Sequence, residues 1–235
     1  MMSNDAEVYQ KGADEYDLLI AREDYQHNIS TTLKSLFRPE GLDIIDLGAG
    51  TGRLSNLLAP RAGSLLAFDA SHHMLQTCNK KLQILGKKRT WTITADHRYL
   101  PITASTADII LSGWSISYLA SWEPTVGDKN LVRWLMEARR VLRASGLFIL
   151  LESLGTGNYQ PIKLEHLTKF YDWLDEQEFQ HTWIRTDYRF ESLDEAVRLT
   201  DFFFGRELAD RVRDENLIIL PECTGIWWKE KVAGI

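Results

Sequence analysis

The chain has 235 residues, 44% of them apolar and 26% charged, ordinary usage for a soluble globular protein and unlike a disordered or fibrous one. Its length fits one large domain, which at this size buries roughly 70 to 75% of its unfolded surface. Asp plus Glu (33) exceed Lys plus Arg (27), giving a formal charge of −6 without the basic footprint of a nucleic-acid-binding protein; the longest cationic cluster, Lys87-Lys88-Arg89, reads as a solvated turn.

Residues 16–37 read as one or two helices ahead of the first strand. Apolar runs of strand length then recur at 42–47, 64–68, 91–95, 107–111 and 147–151, near-continuous in Ile, Leu and Val, as expected of strands covered by helices on both faces. Helical patterns intervene at 53–59, 71–85 and 129–142, the last with Leu131, Trp134, Leu135 and Ala138 on one stripe. Residues 161–177 read as a helix and 180–190 as one strand. A helix over 192–204 follows, then a break at Gly205, a short helix, and a final strand at 224–229. Pro221 cannot donate to a ladder, so that strand begins after it.

This alternation predicts an α/β fold: a doubly wound, Rossmann-like sheet of about seven strands, mostly parallel with the last antiparallel, and helices on both faces. The chain reads as a single domain, with a helical cap at 1–40, a ligand-binding core at 41–152, and a part at 153–235 that completes the sheet and provides the substrate side.

Asp46-Leu47-Gly48-Ala49-Gly50-Thr51-Gly52 follows an apolar strand and opens a helix, where glycines let the backbone turn sharply and a ligand approach closely. The spacing G-x-G-x-G differs from the dinucleotide fingerprint G-x-G-x-x-G and argues against a nicotinamide enzyme. The second and third strands end in Asp69 and Asp96, so three carboxylates fall at one lip of the sheet, where such folds bind ligands. Asp69 is placed to accept hydrogen bonds from both ribose hydroxyls. Asp46 and Asp96 would repel a pyrophosphate but suit a nucleoside bearing a sulfonium and an ammonium.

The segment 43–52 resembles the first motif of the class I S-adenosylmethionine-dependent methyltransferases. The likeness extends through Phe68-Asp69-Ala70-Ser71 with Met74-Leu75, Ala95-Asp96, residues 108–112 and the turn 143–147. It implies S-adenosyl-L-methionine as cofactor and S-adenosyl-L-homocysteine as product. It further implies that Asp46 and the backbone of Gly48, Ala49, Gly50, Thr51 and Gly52 hold the methionine part, Asp69 the ribose and Asp96 the adenine amine. Ser112 and Gly113 would border the methionine end, Ala70 and Met74 would wall the adenine, and Ser71 and His97 would adjoin it.

Methyl transfer is an in-line displacement at an activated carbon, so positioning comes first and a base is optional. The base candidates are His166 and Tyr16, with no catalytic residue fixed by a motif. His72 and His73 fit nucleoside contact or solvent exposure. Tyr9, Tyr16, Trp114, Tyr118 and Tyr159 are the acceptor-side candidates, and Phe170, Tyr171 and Trp173 could extend an aromatic pocket or simply pack. Phe202-Phe203-Phe204 and Trp227-Trp228 read as packing. Cys78 and Cys223 lack ligand spacing, so no metal site or disulfide is expected. The reading is a cytoplasmic enzyme methylating O or N of a small molecule, with no nucleic acid or membrane partner. Methylation of a protein or tRNA, and a non-catalytic binding protein of the same fold, are the alternatives.

Overall fold

The computed structural model describes residues 13–121 and 127–231. Strands β1 (Asp43–Leu47), β2 (Ser64–Asp69), β3 (Thr90–Thr94), β4 (Ala107–Gly113) and β5 (Leu142–Thr156) pair in parallel. Two more strands, β6 (Gln180–Arg185) and β9 (Glu222–Glu230), complete a sheet of order β3-β2-β1-β4-β5-β9-β6. The chain winds outward through β2 and β3, then returns to place β4 on the other side of β1. That reversal leaves a crevice at the carboxyl ends of β1 and β4, the place where open α/β sheets bind ligands. The last strand, β9, is antiparallel as expected, and it lies between β5 and β6.

Nine helices are described: α1 (Ala13–Arg22), α2 (Asn28–Leu36), α3 (Arg53–Leu58), α4 (His72–Ile84), α5 (Ser117–Ser121), α6 (Gly127–Val141), α7 (Thr168–Glu176), α8 (Leu193–Phe204) and α9 (Arg206–Asp214). Ser71 and Ser192 cap α4 and α8, each hydroxyl accepting the N–H of the residue three further on. One apolar layer gathers Trp134, Phe148, Phe170 and Leu174 on one sheet face; the other gathers Ile29, Leu33, Leu54 and Leu75 on the opposite face. A smaller core joins Leu19, Tyr188, Leu199, Val212 and Leu220.

Two expectations are corrected and one open alternative is decided. Only residues 165–176 of the expected helix 161–177 are helical, as a 3-10 turn (Glu165–Leu167) leading into α7. The Ile162 N–H instead bonds the Leu154 carbonyl (2.7 Å) and holds the preceding segment against β5. The expected strand 180–190 is broken, because the Arg185 guanidinium folds onto Asp187 (2.8 Å) and Asp187 Oδ1 accepts the Glu222 N–H (2.9 Å). The ladder stops there, and β7 (Tyr188–Arg189) pairs instead with β8 (Ile219–Leu220). Finally, Phe170, Tyr171 and Trp173 belong to the core: Phe170 stacks on Trp173 (6.2 Å), which meets Trp134 edge-on (6.0 Å), and Tyr171 stacks on Trp227 (5.9 Å).

Candidate functional site

The glycine loop leaves β1 and is tied to the end of β2, where the N–H groups of Gly48 and Ala49 both donate to the Phe68 carbonyl (2.8 and 2.9 Å). Its glycines differ in what surrounds them. A Cβ on Gly48 (φ +72°) would fall inside the Ser115 side chain and 3.2 Å from the His97 ring, so that glycine is required by close packing. Among the described residues, a Cβ on Gly50 (φ +54°) would meet nothing nearer than the Tyr16 ring at 3.9 Å and the Met74 methyl at 4.0 Å. The loop is therefore closed beneath Gly48 and open above Gly50. Asp69 borders that opening, its carboxylate accepting the N–H of Gly50 (2.8 Å) and of Ser71 (2.7 Å). A carboxylate has about four acceptor positions, so two further donors can be served.

The other two acids are placed less simply than their spacing suggested. Asp46 is fully buried, accepts the Ser55 hydroxyl (2.6 Å), and is pushed up to about 6 by burial, with the Asp69 charge adding to the shift. Asp96 takes a forked contact from Arg98 (2.7 to 3.1 Å), which holds its carboxyl below the usual range. The acid of this lip that stands open to a cation is therefore Asp69, because Asp46 is buried against Ser55 behind the loop and Asp96 is offset by Arg98. His97 lies buried between these groups; burial lowers its pKa despite the opposing charges of Asp69 and Asp96.

Ser112 is buried with its hydroxyl donating to the Leu47 carbonyl (2.8 Å), so it locks β4 to β1, and a Cβ on Gly113 would press on Leu54 at 2.9 Å. Met74 is fully buried, Ala70 is exposed at the rim, and Thr51 is buried with no partner for its hydroxyl. His72 and His73 are exposed at the start of α4.

On the expected acceptor side, Tyr16 reaches over the loop beside Phe203 (ring centroids 5.6 Å apart), and Trp114, in a left-handed turn after β4 (φ +49°), carries the Arg53 guanidinium on its face at 4.2 Å. Tyr118 is half-buried in α5. Tyr159 is 61% exposed and stacks under Arg185 at 5.1 Å, at the surface of the C-terminal part. His166 is exposed on the 3-10 turn rather than turned inward, which removes the geometric ground for reading it as a base. Tyr9 lies outside the described residues.

The lip also gathers polar residues that the sequence reading passed over. Arg53, directly after the loop, donates to Glu23 (2.6 Å) at the end of α1. Glu222 accepts the Ser153 hydroxyl (2.7 Å), and Glu152 accepts the Ser153 N–H (2.9 Å). Tyr188 is buried among Glu23, Glu222 and Arg53. Burial pushes Glu152 up to about 7 and Glu222 up to about 8, Glu23 adding to the second shift. One signal could have found Glu152: it ends the apolar run of β5 as Asp46 ends that of β1. Glu222 needed the topology, because β9 runs against its neighbours and so begins at the lip where they end.

Residues 45–150 match the family model described as a methyltransferase domain. The chain is 28% identical over 164 residues to malonyl-[acyl-carrier protein] O-methyltransferase of Geobacter sulfurreducens, covering 68% of this chain and 56% of that protein. It is 34% identical over 105 residues to phosphoethanolamine N-methyltransferase 1 of Arabidopsis thaliana, covering 43% of this chain and 21% of that protein. The chain thus spans just over half of the first relative and about a fifth of the second. A SAM-dependent methyltransferase from Aquifex aeolicus has the same fold, with a TM-score of 0.58 at 15% identity over 87% of this chain and 90% of that one. Among the described residues no helix is long and apolar enough to cross a membrane.

Proposed function

We infer, from the premise that residues 45–150 belong to the class I S-adenosylmethionine-dependent methyltransferases, that this protein transfers a methyl group from S-adenosylmethionine to a small-molecule acceptor. The observation that carries the reading is the open space over Gly50, bordered by Asp69, Tyr16 and Met74. A side chain at residue 50 would fill it, and its rim supplies the acceptor positions that a ribose diol requires. When bound, the cofactor supplies a methyl group on a positively charged sulfur.

The loop from Gly48 to Gly52 would hold the methionine part, with Asp46 behind it acting through the loop and not by contact, because its carboxyl is buried against Ser55. Asp69 would hold the ribose. Asp96, on the lone pairs that Arg98 leaves, would take the adenine amine, and His97 would close the base side. An acidic chain favours a small acceptor over a polyanion. The relatives' names speak of O- and N-methyl transfer, and neither acceptor is carried over to this chain, whose Glu23, Tyr188 and Glu222 lie outside the residues 45–150 that match the methyltransferase domain.

Replacing Asp69 by alanine is expected to weaken S-adenosylmethionine binding about tenfold or more, since hydrogen bonds to a charged group contribute about 1.5 to 3 kcal/mol each. Calorimetry with the folded variant checks this. Wild-type affinity in Asp69→Ala would remove the ribose assignment.

A further inference from the structure

The buried polar groups at the lip leave specific atoms without partners. Among the described residues, Glu23 Oε1, Arg53 Nη2 and Glu222 Oε2 are each buried without a hydrogen bond of ordinary geometry, with the Tyr188 hydroxyl near Glu23 and the Thr156 hydroxyl near Glu222. The Glu222 residue is 2% exposed and the Glu23 side chain 4% exposed. Native interiors pair such atoms almost without exception, and leaving one unpaired is costly, more so when it is charged. The three orphans belong to one cluster, since Arg53 bonds Glu23 and the charges of both act on Glu222. Arg53 lies one residue past the glycine loop with its guanidinium over Trp114 at the end of β4, and Glu222 bonds Ser153 in β5, so on the methyl-transfer reading the cluster stands next to the loop that would hold the methionine part.

Charge chooses between ligands. Glu23 and Glu222 share a single guanidinium, and that guanidinium already serves Glu23 through Nη1 and sits over the Trp114 ring. A cation relieves this acid surplus, whereas a carboxylate adds to it. The Arg53 Nη2 hydrogen meanwhile needs an oxygen close to the cation.

We propose that Glu23, Arg53 and Glu222 form the acceptor site and that it takes a primary or secondary amine in its ammonium form, with an oxygen within reach of Arg53. The assignment rests on the methyl-transfer reading and deepens it. Binding the ammonium favours Glu222 as a carboxylate, so the complex forms with release of a proton to solvent near pH 7. In the reaction the ammonium gives a proton to Glu222, the freed nitrogen lone pair bonds the methyl carbon, and the pair of the breaking carbon–sulfur bond stays on sulfur. The burial that raises Glu222 to about 8 suits it to that proton.

The test uses the full chain loaded with S-adenosylhomocysteine and three probes of matched size: ethanolamine, ethylene glycol and glycolate. Ligand-observed NMR is expected to show ethanolamine bound at least about tenfold more tightly than the other two, and calorimetry in buffers of different ionisation enthalpy is expected to show proton release. Glu222→Gln, which keeps the shape and removes the charge, is expected to abolish both the preference and the proton release while binding S-adenosylhomocysteine as before. Glu23→Gln serves as a second variant should the first fail to fold. Equal binding of the probes, preference for glycolate, no ethanolamine binding, or an unchanged preference in a folded variant would each overturn the amine assignment. Failure of the wild type to bind S-adenosylhomocysteine would instead overturn the methyl-donor reading, and the two failures are told apart in one titration.

Discussion

Gly50→Val is expected to abolish S-adenosylmethionine binding, by at least about a hundredfold, while the protein still folds. The branched side chain would enter the space over the loop, where among the described residues the atoms nearest the added Cβ are the Tyr16 ring at 3.9 Å and the Met74 methyl at 4.0 Å. Its cost to the fold is confined to the left-handed backbone at φ +54°, roughly 1 to 2 kcal/mol for a residue with a Cβ. Gly48→Ala inverts the pattern. There the methyl collides with Ser115 and crowds His97, so overpacking of about 1 to 3 kcal/mol adds to the same backbone cost. Thermal melting and calorimetry on the two variants separate the effects: the first should lose binding and keep most of its Tm, the second should lose Tm. A Gly50→Val protein that binds the cofactor normally would mean that the ligand does not lie over the loop.

The second large effect concerns pH. Glu222 is raised from 4.5 to about 8 and Glu152 from 4.5 to about 7, so between these values the folded protein keeps protons that the unfolded chain has released. Stability then falls as pH rises, at about 1.4 kcal/mol per pH unit for each group inside its window. His97 acts in the opposite sense, since its lowered pKa contributes stability that is lost as pH drops below 6.5, and Asp46, raised to about 6, has passed its window by then. Above pH 6.5 the two glutamates act alone among these groups. The unfolding free energy of the ligand-free protein, from denaturant titrations, is expected to decrease from pH 6.5 to 8 by about 2 kcal/mol, and Glu222→Gln to flatten that slope and to be the more stable protein at pH 8. Below about pH 4, Asp43, Asp96, Glu137 and Glu195, all held low, should lose their contribution as they protonate. A wild-type stability that does not fall between pH 6.5 and 8 would show that these acids are ionised in the folded state.

Much of the fold was legible because its signals are local. The apolar runs of β1, β2 and β4 and the serine caps of α4 and α8 need no knowledge of distant residues, and the loop with Asp69 follows from strand, turn and helix in sequence. The end of the strand expected at 180–190 was not local. It stops where Asp187 turns to receive the N–H of Glu222, a partner 35 residues on. The choice between pocket and packing for Phe170, Tyr171 and Trp173 was open in the sequence for a related reason. Aromatic residues near the lip looked like a pocket, yet Phe170, Tyr171 and Trp173 are needed to fill the layer under Trp134, and an apolar ring gives the same sequence signal in either place. The acids that do line the lip come from α1, β5 and β9, and only the topology brings them together.

The order of the sheet also bears on how the protein assembles. β6 is synthesised before β9 but pairs with no other strand, so its backbone groups stay unsatisfied until β9 threads between it and β5. Residues 43–156 can collapse early around nearest-neighbour crossovers, whereas the final seam joins β5 to a strand far along the chain and closes slowly. During that interval the exposed flanks of β5 and β6 are the surfaces most prone to mispairing, and a molecular chaperone acting on this protein would find its purchase there.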